Sequence, residues 1–299
     1  MQNTFNQKVL DAKLEAHIKS CQQKIKSHRE SVHRFLELNM GIQIENTPKV
    51  EYQTQRDNLY YLLLDEFHDF NIYEYYTLLE ISPRVEKLDL NYTEFETLKR
   101  QMIDFINIQL KNNEQIITRI NEKLLERNRQ QSIHKAFGSY SYFTDSRNRK
   151  AMPDKIVINL LSCEFFAANN QISIEDLVLS TYVHELTHYY SHVGFDKDKL
   201  SWTNFHEVDD FVHEGIAQYY SYQYFKSIGK AESFDKIENL TDSLGSYFFG
   251  DEYREYLKYL NYTPEQMYFA FIQFRRNNCT KPNEFLQFLD KSKKELPHI

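Results

Sequence analysis

Seven glycines and six prolines are all that this chain of 299 residues has to interrupt its secondary structure. A β-sandwich or barrel calls for a turn roughly every 8–12 residues, and Gly and Pro supply most of the special backbone angles that turns use. Their scarcity predicts long helices and few strands: a mostly α chain with a small β-sheet, of the α+β class. Hydrophobic residues make up 41% and charged residues 26%, enough apolar material for a packed core and too much for a disordered chain. The length allows one large domain or two modest ones.

The apolar positions bear this out locally. Leu14, Ile18, Cys21, Ile25, His28, Val32 and Phe35 recur at alternating steps of three and four, one face of a long helix. Phe95, Leu98, Met102, Phe105, Ile117, Ile120 and Leu124 predict a second, opened by Thr93 and Glu96 as a capping box. The two long helices are expected to pair as an antiparallel hairpin. Between them, Ile42 and Ile44 suggest a short strand, and Asp65 to Glu80 a helix that stops before Pro83. After Gln131 the character changes. Residues 136–150 read as a hairpin or loop, and the β-branched run Lys155–Leu161 as a strand. Ser173, with Glu175 and Asp176 behind it, reads as the cap of a helix that ends by Gly194; Asp209–Ile228 forms another, closed by Gly229. Thr263, Pro264 and Gln266 open a C-terminal helix. We expect a helical region over 1–130, a candidate substrate- or partner-binding arm, and a second domain over 131–299.

The charge balance, 43 acidic against 36 basic residues, disfavours a dedicated nucleic-acid binder, which needs a concentrated basic face. No stretch reaches the 18 or so apolar residues of a membrane span. The first twenty residues show no signal-peptide core, so a cytoplasmic location is expected, or export by a route that reads another signal. Cys21, Cys163 and Cys279 are odd in number and far apart, which supports neither a disulfide framework nor a cysteine zinc cluster and fits a reducing compartment.

The helix after Ser173 carries His184-Glu185-Leu186-Thr187-His188, an HExxH. A chain with 11 His and 26 Glu in 299 residues carries this pattern by chance only about 0.03 times. Histidines four apart share a helix face and can chelate one ion at about 2.0–2.1 Å from each nitrogen. Glu185 lies roughly 100° further round, out of the coordination plane but within reach of a water at the ion's open position, where a general base is needed. A catalytic zinc site takes three protein ligands. His192 is two turns from His184, roughly 11–12 Å, too far to share the ion. Ser191 and Gly194 stand where the metzincin pattern needs Gly and His. Cys163 reads as an ordinary buried thiol. The remaining candidate is Glu214, in Val212-His213-Glu214-Gly215-Ile216-Ala217-Gln218-Tyr219, where Gly215 and Ala217 suggest close helix–helix approach. Glu207, Asp209, Asp210 and His213 stand beside it as alternatives of suitable type.

The pair of motifs, HELTH and EGIAQYY, resembles the gluzincin zinc metallopeptidases, in particular the peptidase MA-like group, over about residues 150–230. The resemblance implies a zincin-like core with His184, His188 and Glu214 as Zn2+ ligands and Glu185 as general base. It also implies that the strand at Lys155–Leu161 belongs to a small sheet whose edge takes up substrate in extended form, and that a downstream Tyr or His stabilises the oxyanion. Tyr219, Tyr220, Tyr222, Tyr247, Tyr253 and His206 are candidates by type. The expected activity is hydrolysis of a peptide or protein substrate. The alternative is a helical interaction protein that keeps the metal site without catalysis, against which Glu185 itself argues.

Overall fold

With so little to stop them, the helices run long. The computed structural model describes residues 2–53, 72–88, 93–128, 137–145, 150–169, 171–243 and 254–296. Helix α1 spans Gln2–Met40 and is followed by strand β1, Lys49–Gln53. Helices α2, Ile72–Glu86, and α3, Thr93–Asn128, come next, then strands β2, Gly138–Asp145, and β3, Lys150–Asn159. The rest is helical: α4, Leu160–Asn169; α5, Ile174–Val193; a short 3₁₀ turn, Phe205–Glu207; α6, Asp210–Ser227; α7, Ala231–Ser243; α8, Tyr256–Tyr259; α9, Pro264–Arg276; and α10, Pro282–Glu295. The protein is mostly α with one small sheet among the described residues.

The three strands lie in the order β1-β3-β2, with β1 parallel and β2 antiparallel to β3. The segment read as a strand, Lys155–Leu161, therefore lies mostly in the central strand β3, and Ile156, Val157 and Ile158 are buried there. Leu160 and Leu161 already belong to α4. Gly138 and its neighbours form the edge strand β2. Its register against β3 shifts between Ser141 and Tyr142, opposite Pro153, which has no N–H to give the ladder.

Helix α5 is built from strong local signals. Ser173 caps it through the Asp176 N–H at 3.2 Å, with Glu175 and Asp176 at the positive end of the helix dipole, and Gly194 closes it. All but four of its twenty residues are buried. A helix buried nearly all round needs neighbours on every side. It has them in α1, α4, α6 and the sheet.

Of the stripe read on α1, Cys21, Ile25 and Val32 are buried and His28 and Phe35 face α6; Leu36 and Met40 extend the buried face. Polar contacts reinforce the seam. His33 Nδ1 lies 2.8 Å from the Tyr190 hydroxyl of α5, and His28 Nδ1 2.7 Å from the Tyr224 hydroxyl of α6.

Several local expectations are corrected. Helix α3 takes α2 rather than α1 as its main partner. Ile106, Ile117 and Ile120 form its buried stripe, and Leu98, Met102 and Phe105 are left 43–59% exposed. Helix α2 runs through Pro83 to Glu86, tolerating the lost hydrogen bond in its last turn. Gln43 pairs with Phe195 only as an isolated bridge; the strand of this region is β1. The expected boundary near residue 130, the first residues of the Asp65–Glu80 helix, Tyr247 and Tyr253 lie outside the described residues. No helix among those described is long and apolar enough to cross a membrane.

The α1–α5 seam makes stability depend on pH. Burial, with Arg29 adding, pushes His33 from its ordinary 6.5 down to about 4. Between those values the unfolded chain binds a proton that the folded chain does not, so stability falls as the pH drops from 6.5 towards 4. Urea midpoints at pH 7 and pH 4.5 measure this. His33→Gln should shrink the difference between them, and an unchanged difference would show that His33 does not contribute.

Candidate metal centre

Helices α5 and α6 cross where their polar side chains meet. His184 and His188 stand one turn apart on α5, and Glu214 is in the second turn of α6, after the Asp209 cap. His184 Nε2 lies 2.9 Å from Glu214 Oε2 and 3.1 Å from His188 Nε2; His188 Nε2 lies 3.4 Å from the same oxygen. His184 and Glu214 are each 7% exposed. Among the described residues this is the one group of three or more His, Cys, Asp or Glu side chains whose donor atoms converge closely enough to hold a metal ion.

The chemistry of the donors fits an ion. Ligands about 2.0–2.2 Å from a tetrahedral centre stand about 3.3–3.5 Å from one another, close to the separations found here. The other nitrogen of His184, Nδ1, lies 3.0 Å from the amide oxygen of Gln218, an acceptor, so Nδ1 carries the hydrogen. In the neutral ring Nε2 then offers a lone pair to a carboxylate oxygen. Two lone pairs face each other comfortably only with a proton or a metal ion between them.

Electrostatics agree. Burial works to lower the His184 pKa, but its hydrogen bond to Glu214 and the charges of Glu214 and Glu185 outweigh it and the pKa is raised. Burial works the other way on Glu214, yet His188 and His184 hold its carboxyl well below the usual range. Glu214 is therefore an anion aimed at two imidazoles.

Glu185 is 6% exposed and turns towards the sheet. Its Oε2 accepts a 2.6 Å hydrogen bond from the Tyr140 backbone N–H of β2. Burial pushes its pKa up, against the pull of His184 and His188. Gly138 makes this contact possible. A Cβ there would stand 2.5 Å from Thr181 Cγ2, 2.9 Å from the Val157 carbonyl oxygen and 3.4 Å from Glu185 Cγ. Only glycine lets β2 lie this close to α5.

The cleft in front of the cluster is lined by Tyr140, Tyr142, Phe205, His206, Asp210 and His213 along with the cluster itself. His213 is not part of the convergence. Its Nε2 lies 2.8 Å from the Phe205 carbonyl and its ring stacks on Trp202; burial, helped by His188, pushes its pKa down to about 3. Asp209 is spent as the cap of α6, accepting from Phe211 N. Asp210 lines the cleft but not the cluster, and Glu207 does neither. Of the oxyanion candidates, His206 lines the cleft, whereas Tyr219 and Tyr220 are buried in the core and Tyr222 packs on Phe234 and Tyr256. Cys163 is buried, its thiol 3.7 Å from the Phe137 carbonyl.

One reading of the sequence changes. The close approach at Gly215 is not to α5: a Cβ there would meet Tyr259 Cε2 at 2.8 Å and Glu255 Cβ at 3.0 Å. What faces α5 is Glu214 and, a turn later, Gln218. Gln218, Tyr140 and Gly138 are site residues that the motif reading passed over. Gln218 had a signal in its i+4 spacing from Glu214; the strand residues had none short of the folded sheet.

No protein-family model, curated protein or solved structure matches this chain.

Gly138→Ala should cost about 1–3 kcal/mol through overpacking against Thr181 and Val157. Adding Thr181→Ser removes the nearer methyl and should recover part of the loss in urea denaturation. Full stability in the single variant would show that the strand is not held as close as the geometry demands.

Proposed function

We propose that this chain is a zinc-dependent metallopeptidase of the gluzincin type, with His184, His188 and Glu214 as the metal ligands and Glu185 as the general base. The observation that carries the reading is the convergence of two imidazole nitrogens and one carboxylate oxygen at 2.9–3.4 Å, with a second buried carboxylate beside them at an open cleft. Two imidazoles and a carboxylate at these separations suit Zn2+, which, when bound, supplies Lewis acidity towards a water and a carbonyl.

The chain's own groups do the rest. The Tyr140 N–H holds Glu185 Oε2, which leaves Oε1 to take a proton from water and hand it to the departing amine. A raised pKa suits a group that must both accept and release that proton. Among the described residues β2 is the edge of the sheet, and Ser139, Tyr140 and Tyr142 bring it to the cleft wall, so an extended peptide would lie along it. Tyr142 and Phe205 offer that peptide an aromatic wall, and His206, which lines the same cleft, would donate to a developing oxyanion. The free thiols Cys21, Cys163 and Cys279 fit a reducing compartment such as the cytoplasm.

Purified protein is expected to hold about one zinc per chain, measured by atomic emission, and to cleave casein or members of a peptide library. His184→Ala and His188→Ala should both lose the metal. Glu185→Gln should keep it while hydrolysis falls by about 10²–10⁴-fold. Zinc retained in both histidine variants would sink the ligand assignment. Zinc-replete protein with no hydrolysis on a broad screen would favour the non-catalytic interaction protein.

A further inference from the structure

Behind the three donor atoms runs a line of hydrogen bonds that leads away from the cleft. Gln218 follows Glu214 by one turn of α6. Its Oε1 faces His184 Nδ1 at 3.0 Å, and its Nε2 donates to Glu238 Oε1 on α7. Glu238 also bonds the hydroxyl of Tyr256 on α8. Glu238 lines neither the cleft nor the donor cluster. Its helix is anchored by other means: Lys230, just before α7, pairs with Asp176 of α5 at 2.6 Å, and Phe234 and Ile237 are buried in the core.

A primary amide has two faces. Its oxygen accepts and its nitrogen donates, and a half-turn exchanges them. An ionised carboxylate only accepts, so Glu238 admits one orientation of Gln218, with nitrogen towards Glu238 and oxygen towards His184. That oxygen requires a hydrogen on Nδ1. A neutral imidazole with its hydrogen on Nδ1 has its lone pair on Nε2, the atom that faces Glu214 and His188.

We infer that Glu238 is a positioning residue for the metal centre: acting through the Gln218 amide, it fixes His184 in the tautomer and orientation whose Nε2 can bind a metal ion. The inference rests on the metal-binding reading of the cluster. It adds a residue 24 positions beyond Glu214, on a different helix, that no motif spacing selects.

The test is Zn2+ affinity, by competition with a chromophoric chelator, together with the visible spectrum of the Co2+-loaded protein as a report on ligand geometry. Glu238→Leu frees the amide to turn and should weaken Zn2+ binding by about 10–100-fold, the usual range for losing an outer partner of a ligating histidine. The exchange Glu238→Gln with Gln218→Glu puts an acceptor-only group directly on Nδ1 with an amide behind it, and should bring affinity and Co2+ spectrum back towards wild type. Gln218→Glu alone sets two carboxylates face to face and should bind more weakly than the exchange. A residue that only held α7 in place would give the exchange no advantage over either single variant, and equal affinities across them would overturn the inference. The Gln218→Glu comparison stands even if Glu238→Leu does not fold. Uptake of no zinc by the wild type, or equal affinity in His184→Ala, would overturn the metal reading itself. If the wild type binds, His184→Ala does not, and Glu238→Leu binds as tightly as wild type, the relay alone fails.

Discussion

A carboxylate and two imidazoles have been taken out of water together, and the surrounding structure depends on that being tolerable. An unpaired buried charge costs several kcal/mol, whereas a paired and hydrogen-bonded one can break even. Here the Glu214 anion is met by His184 and His188, and His184 is backed by Gln218. With its hydrogen on Nδ1, the neutral His184 ring has only a lone pair to set against Glu214, and a proton or a metal ion between the two completes the balance. The crossing of α5 and α6 follows from this. The two helices can meet at their polar faces because those faces answer one another atom for atom.

How far the sequence reveals this depends on how local each cause is. Ser173, Gly194, Asp209 and the Thr263-Pro264-Gln266 box act within a turn of their own helices, and each helix starts or stops where they say. The grouping of HExxH with the Glu that follows it is equally legible, because i, i+4 spacing fixes a helix face and few residues of suitable type follow on the next helix. Gly215 shows the limit. A small residue beside a functional carboxylate announces close packing, but its direction depends on which neighbour arrives, and the neighbour is Tyr259 rather than α5. Gly138, Tyr140 and Glu238 are further from reach still. Their roles exist only once a strand, an edge and a separate helix are brought against α5. On α3 a sound periodicity misled for the opposite reason: one stripe is buried, and Leu98, Met102 and Phe105 lie outside it.

The tyrosines that fill this chain have a common use at the seam with α1. A buried Tyr contributes a large apolar ring but must find a partner for its hydroxyl. Tyr190 and Tyr182 reach His33, Tyr224 reaches His28 and Ser31, and Tyr220 reaches the Asn39 carbonyl. Rings bury into α5 and α6 while hydroxyls are paid off along α1. The helix thus supplies both an apolar stripe and a row of polar partners, which sets its register against α5 more tightly than packing alone.

Polar residues on α5 and α6 then fall into two kinds, and the difference explains why the site can sit inside a core. Thr181, Thr187 and Ser221 turn their hydroxyls back onto the carbonyls of Leu177, Val183 and Ala217, four residues earlier in their own helices. They are satisfied locally and can be buried against anything. His184, Glu185, His192, Glu214 and Gln218 cannot be satisfied that way. Each is completed from another element: Glu185 and His192 by Tyr140 of β2, His184 and Glu214 by each other, Gln218 by α7. Side chains of the second kind are costly unless every partner is in place. Asp176, paired by Lys230 at the start of α5, is of this kind too, but the five named here gather on the faces that meet around the cleft, where packing by itself would have chosen hydrocarbon.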